Sequence, residues 1–144
     1  MINFNVNQRL GKKISLELWR RWLEKIAKTL KLKKKLELSI ALVGDSEIKR
    51  LNKIYRRKNK VADVLSFAEI DSRAKLDLAP DYLGEIIIGY PQAVRQARRA
   101  KRLVNQQLEM LLIHGFLHLL GYDHQRAKDA LLMENLEQRI INSR

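Results

Sequence analysis

With 144 residues, 46% hydrophobic and 31% charged, the chain has the size and balance of one globular domain, 1–144, able to bury a core but too short for two ordinary domains. No apolar run approaches the ~18 residues of a membrane span, and the absence of cysteine excludes disulfides and leaves nitrogen and oxygen as the practical metal ligands. The formal charge of +13 is carried wholly by residues 1–60, which hold 18 Lys and Arg against 5 Asp and Glu, whereas residues 61–144 hold 11 of each. Such asymmetry points to an anionic partner, nucleic acid first, against the plainer alternative of a solvated basic surface.

Ile2, Phe4 and Val6 alternate with Asn3, Asn5 and Asn7, the period of a strand with one wet face. The same stretch lacks the continuous apolar core of a secretory signal, so a cytoplasmic protein is expected. Ser15 is a good N-cap for a helix in which Trp19, Trp22, Leu23, Ile26 and Leu30 recur at helical spacing, the tryptophans as core rather than as a base-stacking platform. After a lysine-rich turn, Lys31 to Lys35, Leu36, Leu38, Ile40 and Leu42 alternate as a second strand closed by Gly44. Asp45 is placed to cap the next helix, where Ile48, Leu51 and Tyr55 share a face. The stretch Lys49 to Lys60 carries seven basic residues and no acidic one. Lys49, Arg50, Lys53, Arg57 and Lys58 are therefore candidate contacts to a polyanion.

Val64 to Ile70 is apolar enough for a third strand, and Asp71 to Asp81 has no clear period and reads as a loop. A fourth strand is expected over Leu83 to Gly89, then a helix from Pro91 through Arg102 with Arg95, Arg98, Arg99 and Arg102 on its basic face. The next helix, from about Val104 to Leu120, is apolar nearly all round and so predicted to be central and buried. A final amphipathic helix places Met133, Leu136 and Ile140 on one side. These elements predict an α+β fold, a roughly four-stranded mixed sheet covered by about five helices, and leave strand order open.

All three histidines lie between residues 114 and 124. His114 and His118 stand four apart, one turn above each other on one helix face, within reach of one ion. Gly121 can take the left-handed conformation that ends the helix and returns the chain, bringing His124 to the same ion. A lone histidine on an apolar helix is more often a satisfied core residue, but three uncompensated imidazoles around a buried helix are costly. Three neutral nitrogens with an open fourth position describe a catalytic zinc site, one Zn2+ per chain, rather than a closed structural one. Imidazole also suits nickel, copper and iron; availability and redox silence favour zinc. Asp123 either fixes the tautomer of a ligand imidazole or shapes the turn beside Gly121. The spacing is also that of metzincin peptidases, but those carry a glutamate base beside the first histidine, where this chain has Gly115.

The pattern His-Gly-x-Leu-His-Leu-x-Gly-Tyr-Asp-His at 114–124 resembles the signature of the bacterial YbeY-type endoribonucleases. Leu51-Asn52-x-x-Tyr55-Arg56, followed by Asp63-Val64-Leu65-Ser66-Phe67, resembles the second motif of that family, and Leu83-Gly84-Glu85-Ile86 its third. Order and spacing agree over most of the chain. Departures are Val61-Ala62, where the family has Pro-Thr, and Glu85, where it has Asp. The resemblance implies a metal-dependent endonuclease of single-stranded RNA acting in small-subunit rRNA maturation and ribosome quality control. Its ligands map onto His114, His118 and His124, its functional arginine onto Arg56, and Ser66 falls in a motif that contacts substrate. Arg56 then reads as a two-donor phosphate clamp, against the alternative that it caps its helix C-terminus. A non-catalytic RNA-binding assembly factor is the remaining alternative, since a metal can also serve only to hold a fold.

Overall fold

The computed structural model describes residues 2–68, 81–122 and 125–143, over which four strands and five helices form. Strand β1, Ile2–Gln8, turns Ile2, Phe4 and Val6 inward and the asparagines to solvent. Helix α1, Leu16–Thr29, starts where the Ser15 hydroxyl accepts the Leu18 N–H at 3.1 Å, and buries Trp19, Trp22, Leu23 and Ile26 on one stripe. The two indoles meet edge to face, centroids 5.1 Å apart, as core residues. Because β1 and β2, Leu36–Val43, run parallel, the chain must cross over between them, and α1 is that crossover.

Strand β2 pairs on its other side, also parallel, with β4, Asp81–Gly89, and β4 pairs antiparallel with β3, Val64–Ala68. The resulting order, β1-β2-β4-β3, leaves β3 at an edge. Alternation then sorts the sheet into two faces. Leu38, Ile40, Leu42, Ile86 and Ile88 belong to the large core with α1, α4 and α5, whereas Ala41, Val43, Leu65 and Ile87 form a smaller cluster with Ile48 of α2, Asp45–Arg56. Helix α3, Tyr90–Ala100, follows β4 without a loop, its Pro91 in the first turn where a missing N–H is harmless. Helix α4, Val104–Leu119, touches β3, β4, α3 and α5, which is why its sequence is apolar all round. Helix α5, Ala127–Asn142, closes the core with Met133, Leu136 and Ile140. None of the helices is long and apolar enough to cross a membrane among the described residues.

Several boundaries and roles differ from expectation. Gly44, not Asp45, is the N-cap of α2; Asp45 is its first residue, and its carboxylate takes two guanidinium nitrogens of Arg95 at 2.9 and 3.0 Å. Those hydrogen bonds hold the Asp45 carboxyl below its usual pKa range, against a smaller opposing effect of burial. Tyr55 is 59% exposed, because α2 rests on a small cluster that reaches only to Leu51, and the buried place in its third turn goes to Asn52. The Asn52 amide donates to Lys60 O at 3.0 Å and ties down the turn after the helix. Strand β4 starts at Asp81, two residues earlier than predicted, extended by pairing with β2. Helix α3 ends at Ala100 because Lys101 turns left-handed, with φ 55°. The predicted end of the third strand and most of the loop after it, residues 69–80, lie outside the described residues.

Candidate active site

Helix α4 carries the first two predicted ligands, and its position on the sheet depends on one small residue. A Cβ added to Gly115 would stand 2.9 Å from Ile86 Cγ2, 3.1 Å from Ser66 Oγ and 3.3 Å from Val64 Cγ2, so α4 lies closer to β3 and β4 than any side chain at 115 permits. The Ser66 hydroxyl donates to Gly115 O at 3.1 Å and pins the two elements together. His114 and His118, one turn apart, then face the cleft beside β3 with their Nε2 atoms 3.1 Å apart. Two nitrogens each ~2.1 Å from a tetrahedral zinc stand roughly 3.3 Å apart, so this pair converges as two ligands of one ion would.

The helix ends as its glycine requires. Gly121 has φ 100°, its N–H reaches His118 O at 3.0 Å, and the Tyr122 N–H reaches Leu117 O at 3.0 Å, the paired bonds of a Schellman motif. Among the described residues nothing lies within 4 Å of a Cβ at 121, so there the positive φ is what calls for glycine. The chain thus turns back from α4 directly before His124. The third predicted ligand, His124, and Asp123 lie outside the described residues.

A residue absent from the sequence reading completes this wall. Glu137 on α5 places Oε2 3.2 Å from His114 Nδ1. A carboxylate there favours the tautomer with hydrogen on Nδ1 and leaves the Nε2 lone pair turned toward His118, the arrangement a metal-binding imidazole needs. The signal was present: Glu137 is four residues after Met133 and three before Ile140, a charge on the stripe that α5 buries.

The opposite wall is basic. The cleft, about 730 Å3, brings Arg56, Lys58 and Lys60 into one space with His114 and His118. Arg56 is the last residue of α2; its Nη2 donates to Ser66 O at 2.5 Å, and its guanidinium lies 4.9 Å from the Phe67 ring centroid. It therefore does not cap its own helix. Held by strand and ring, it has further N–H donors that make no bond among the described residues. Arg57 adopts the left-handed conformation, φ 58°, and is not among the described cleft residues. Lys49, Arg50 and Lys53 are exposed on α2 outside the cleft, so the predicted basic patch divides into an inner set and an outer set. Ser66 lines the cleft, but its hydroxyl proton goes to Gly115 and its carbonyl to Arg56.

Comparison with known proteins agrees in extent with this geometry. The sequence profile of the family described as Endoribonuclease YbeY matches residues 2–144. A protein named Endoribonuclease YbeY from Syntrophomonas wolfei is 42% identical over 122 residues, covering 81% of this chain and 78% of its own. One of the same name from Staphylococcus epidermidis is 38% identical over 132 residues, covering 84% and 85%. A solution structure of a Thermotoga maritima protein superposes with a TM-score of 0.62 at 26% identity, over 98% of this chain and 87% of that one. A profile match over essentially the whole chain, two relatives of near-equal length and a shared fold lead to one conclusion: the chain belongs to the YbeY endoribonuclease family.

Proposed function

We propose that the protein is a zinc-dependent endoribonuclease that hydrolyses phosphodiesters of single-stranded RNA in the cytoplasm, acting in small-subunit rRNA maturation and ribosome quality control. Family membership supports the endoribonuclease class, since relatives of comparable length carry that name. The observation that carries the chemistry is the convergence of His114 and His118 Nε2, 3.1 Å apart, in a cleft that also holds Arg56. His114, His118 and, by the sequence pattern, His124 would hold the ion. Bound zinc supplies a Lewis acid for a phosphoryl oxygen and a water whose pKa falls to about 7.

The chain's own residues do the rest. Glu137 keeps His114 in the ligating tautomer. Arg56 offers a planar, always-charged pair of donors to the nonbridging oxygens of the scissile phosphate and stabilises the charge that grows on them in the transition state. Lys58 and Lys60 raise the local concentration of the polyanion and hold flanking phosphates. A glutamate beside the first histidine, as a metallopeptidase requires, finds no room at Gly115 unless α4 leaves the sheet.

The test is single-turnover cleavage of single-stranded RNA at saturating protein, with and without chelator, beside elemental analysis of the purified protein. About one zinc per chain and metal-dependent cutting are expected. RNA binding without metal-dependent cutting would leave the non-catalytic assembly factor as the better reading.

A further inference from the structure

The trough does not end at the histidines. Past His114 it opens into a second pocket of about 450 Å3 between α3 and α4, and the two spaces share Asp63, Gln96 and His114. Their chemistry differs. The first sets Arg56, Lys58 and Lys60 against one carboxylate, Asp63, and suits a phosphate chain. The second sets Arg99 and Arg102 against two carboxylates, Asp63 and Glu137, so its formal charges cancel. It also includes the side chains of Met110 and the buried Leu111. A phosphate would gain little net field there, whereas a flat, polar-edged ring between guanidinium planes and an apolar surface would gain from both.

One of these planes is held in place by a chain of hydrogen bonds. Arg102 Nη1 donates to Gln107 Oε1 at 3.1 Å, Gln107 Nε2 to Gln96 Oε1 at 2.9 Å, and Gln96 Nε2 to Asp63 Oδ2 at 3.1 Å. Asp63 Oδ1 accepts the Val64 N–H at 2.7 Å. An arginine can only donate and an ionised carboxylate only accept, so both amides between them have one permitted orientation. The relay thus fixes Arg102 relative to β3, the strand whose Ser66 carbonyl holds Arg56. Arg99, exposed at the same pocket, makes no hydrogen bond or ion pair among the described residues, unlike Arg95, which Asp45 occupies.

We propose, on the basis of the RNA-cleavage reading above, that this second pocket is a nucleobase subsite. It receives the base of a nucleotide next to the scissile phosphate, splayed from the strand and stacked on the guanidinium planes of Arg99 and Arg102 above Met110 and Leu111. Its volume lies within the ~300–1,000 Å3 typical of small-ligand pockets. Single-stranded RNA is the form whose bases are free to turn into such a site.

The test uses the zinc-loaded full chain and short single-stranded RNA oligomers of one sequence, in which a single abasic nucleotide is stepped along the strand. Binding by fluorescence anisotropy and single-turnover cleavage are measured for each. In the native protein one abasic position should weaken binding and cleavage by roughly tenfold, the size expected for loss of one stacked base. In the Arg99→Ala/Arg102→Ala protein the same position should matter less than about twofold. Arg99→Lys/Arg102→Lys should also lose the discrimination while keeping the native salt dependence, because an ammonium retains the charge and lacks the face. Arg99→Ala alone, which leaves the amide relay intact, should lose part of it. Indifference of the native protein to every abasic position, equal discrimination by the alanine variant, or full discrimination by the lysine variant would each overturn the subsite. Failure to cut any oligomer, with base discrimination in binding retained, would instead overturn the cleavage reading alone.

Discussion

Helices α2 and α4 both end at a residue with positive φ and carry opposite kinds of side chain. At α4 the pair of bonds Gly121 N–H to His118 O and Tyr122 N–H to Leu117 O turns the chain back. At α2 the closure is wider, with Arg57 N–H reaching Lys53 O and Lys58 N–H reaching back to Asn52 O. The first end has a glycine in the left-handed position and sits on the large core, with Leu117 and Phe116 fully buried behind the two histidines. The second has an arginine there, φ 58°, at the rim of the smaller cluster, and presents exposed cations. On the proposed function, the metal ligands, which need fixed geometry, would stand on the rigid helix end, and the phosphate contacts, which tolerate adjustment, on the exposed one.

That contrast can be broken at either end. The largest effect belongs to the α4 wall: His118→Ala should abolish bound metal and RNA cleavage together while thermal melting of the metal-free protein changes little, read by elemental analysis and single-turnover kinetics. Full metal occupancy in that variant would remove the proposed centre. Next comes the α2 wall, where Arg56→Ala should lower cleavage by roughly a hundredfold or more with metal content unchanged, and Arg56→Lys should recover little. Arg57→Ala is the internal control, because its side chain is outside the described cleft. Cleavage at the native rate in Arg56→Ala would assign the clamp wrongly.

Smaller effects separate field from fit. Changing Lys58 and Lys60 to Ala should lower the slope of log affinity against log salt by about 2, whereas the same change at Lys49 and Lys53, outside the cleft, should leave it within about half of that. Equal losses would mean that the whole of α2 contacts RNA. Gly115→Ala should cost about 1–3 kcal/mol by wedging α4 off β3 and should weaken metal binding as well, since the Ser66 bond goes with it. Gly121→Ala meets no atom among the described residues and so should cost the left-handed penalty, about 1–2 kcal/mol. Arg57→Gly, at the equivalent place in α2, should stabilise by at most about 1 kcal/mol, a rise of a few degrees in Tm. If Gly121→Ala were neutral and Gly115→Ala costly, crowding would be the only constraint on α4.

Periodicity and apolar composition, with cap and breaker residues at the boundaries, placed most elements of this protein, because the period of a buried face is the period of the backbone. The alternation of Ile2, Phe4 and Val6, the stripe from Trp19 to Ile26 and the apolar belt of α4 were all legible in that way. So was the convergence of His114 and His118, since a spacing of four puts them on one face of any helix, and so was the left-handed turn at Gly121. Contacts between elements distant in the chain were decided only by the tertiary structure. The sheet order β1-β2-β4-β3 brings Arg56 to β3 and β3 to Gly115, and no local pattern specifies which strand lies beside which. Asp45 had the composition of a cap but lies within reach of Arg95, and a carboxylate with a guanidinium in range takes it. Glu137 is 23 residues from His114 and became its partner only because α5 packs on α4. Local chemistry is written in neighbouring residues; the pairing of walls across a cleft depends on how separate hydrophobic faces share one core, a property of the whole chain.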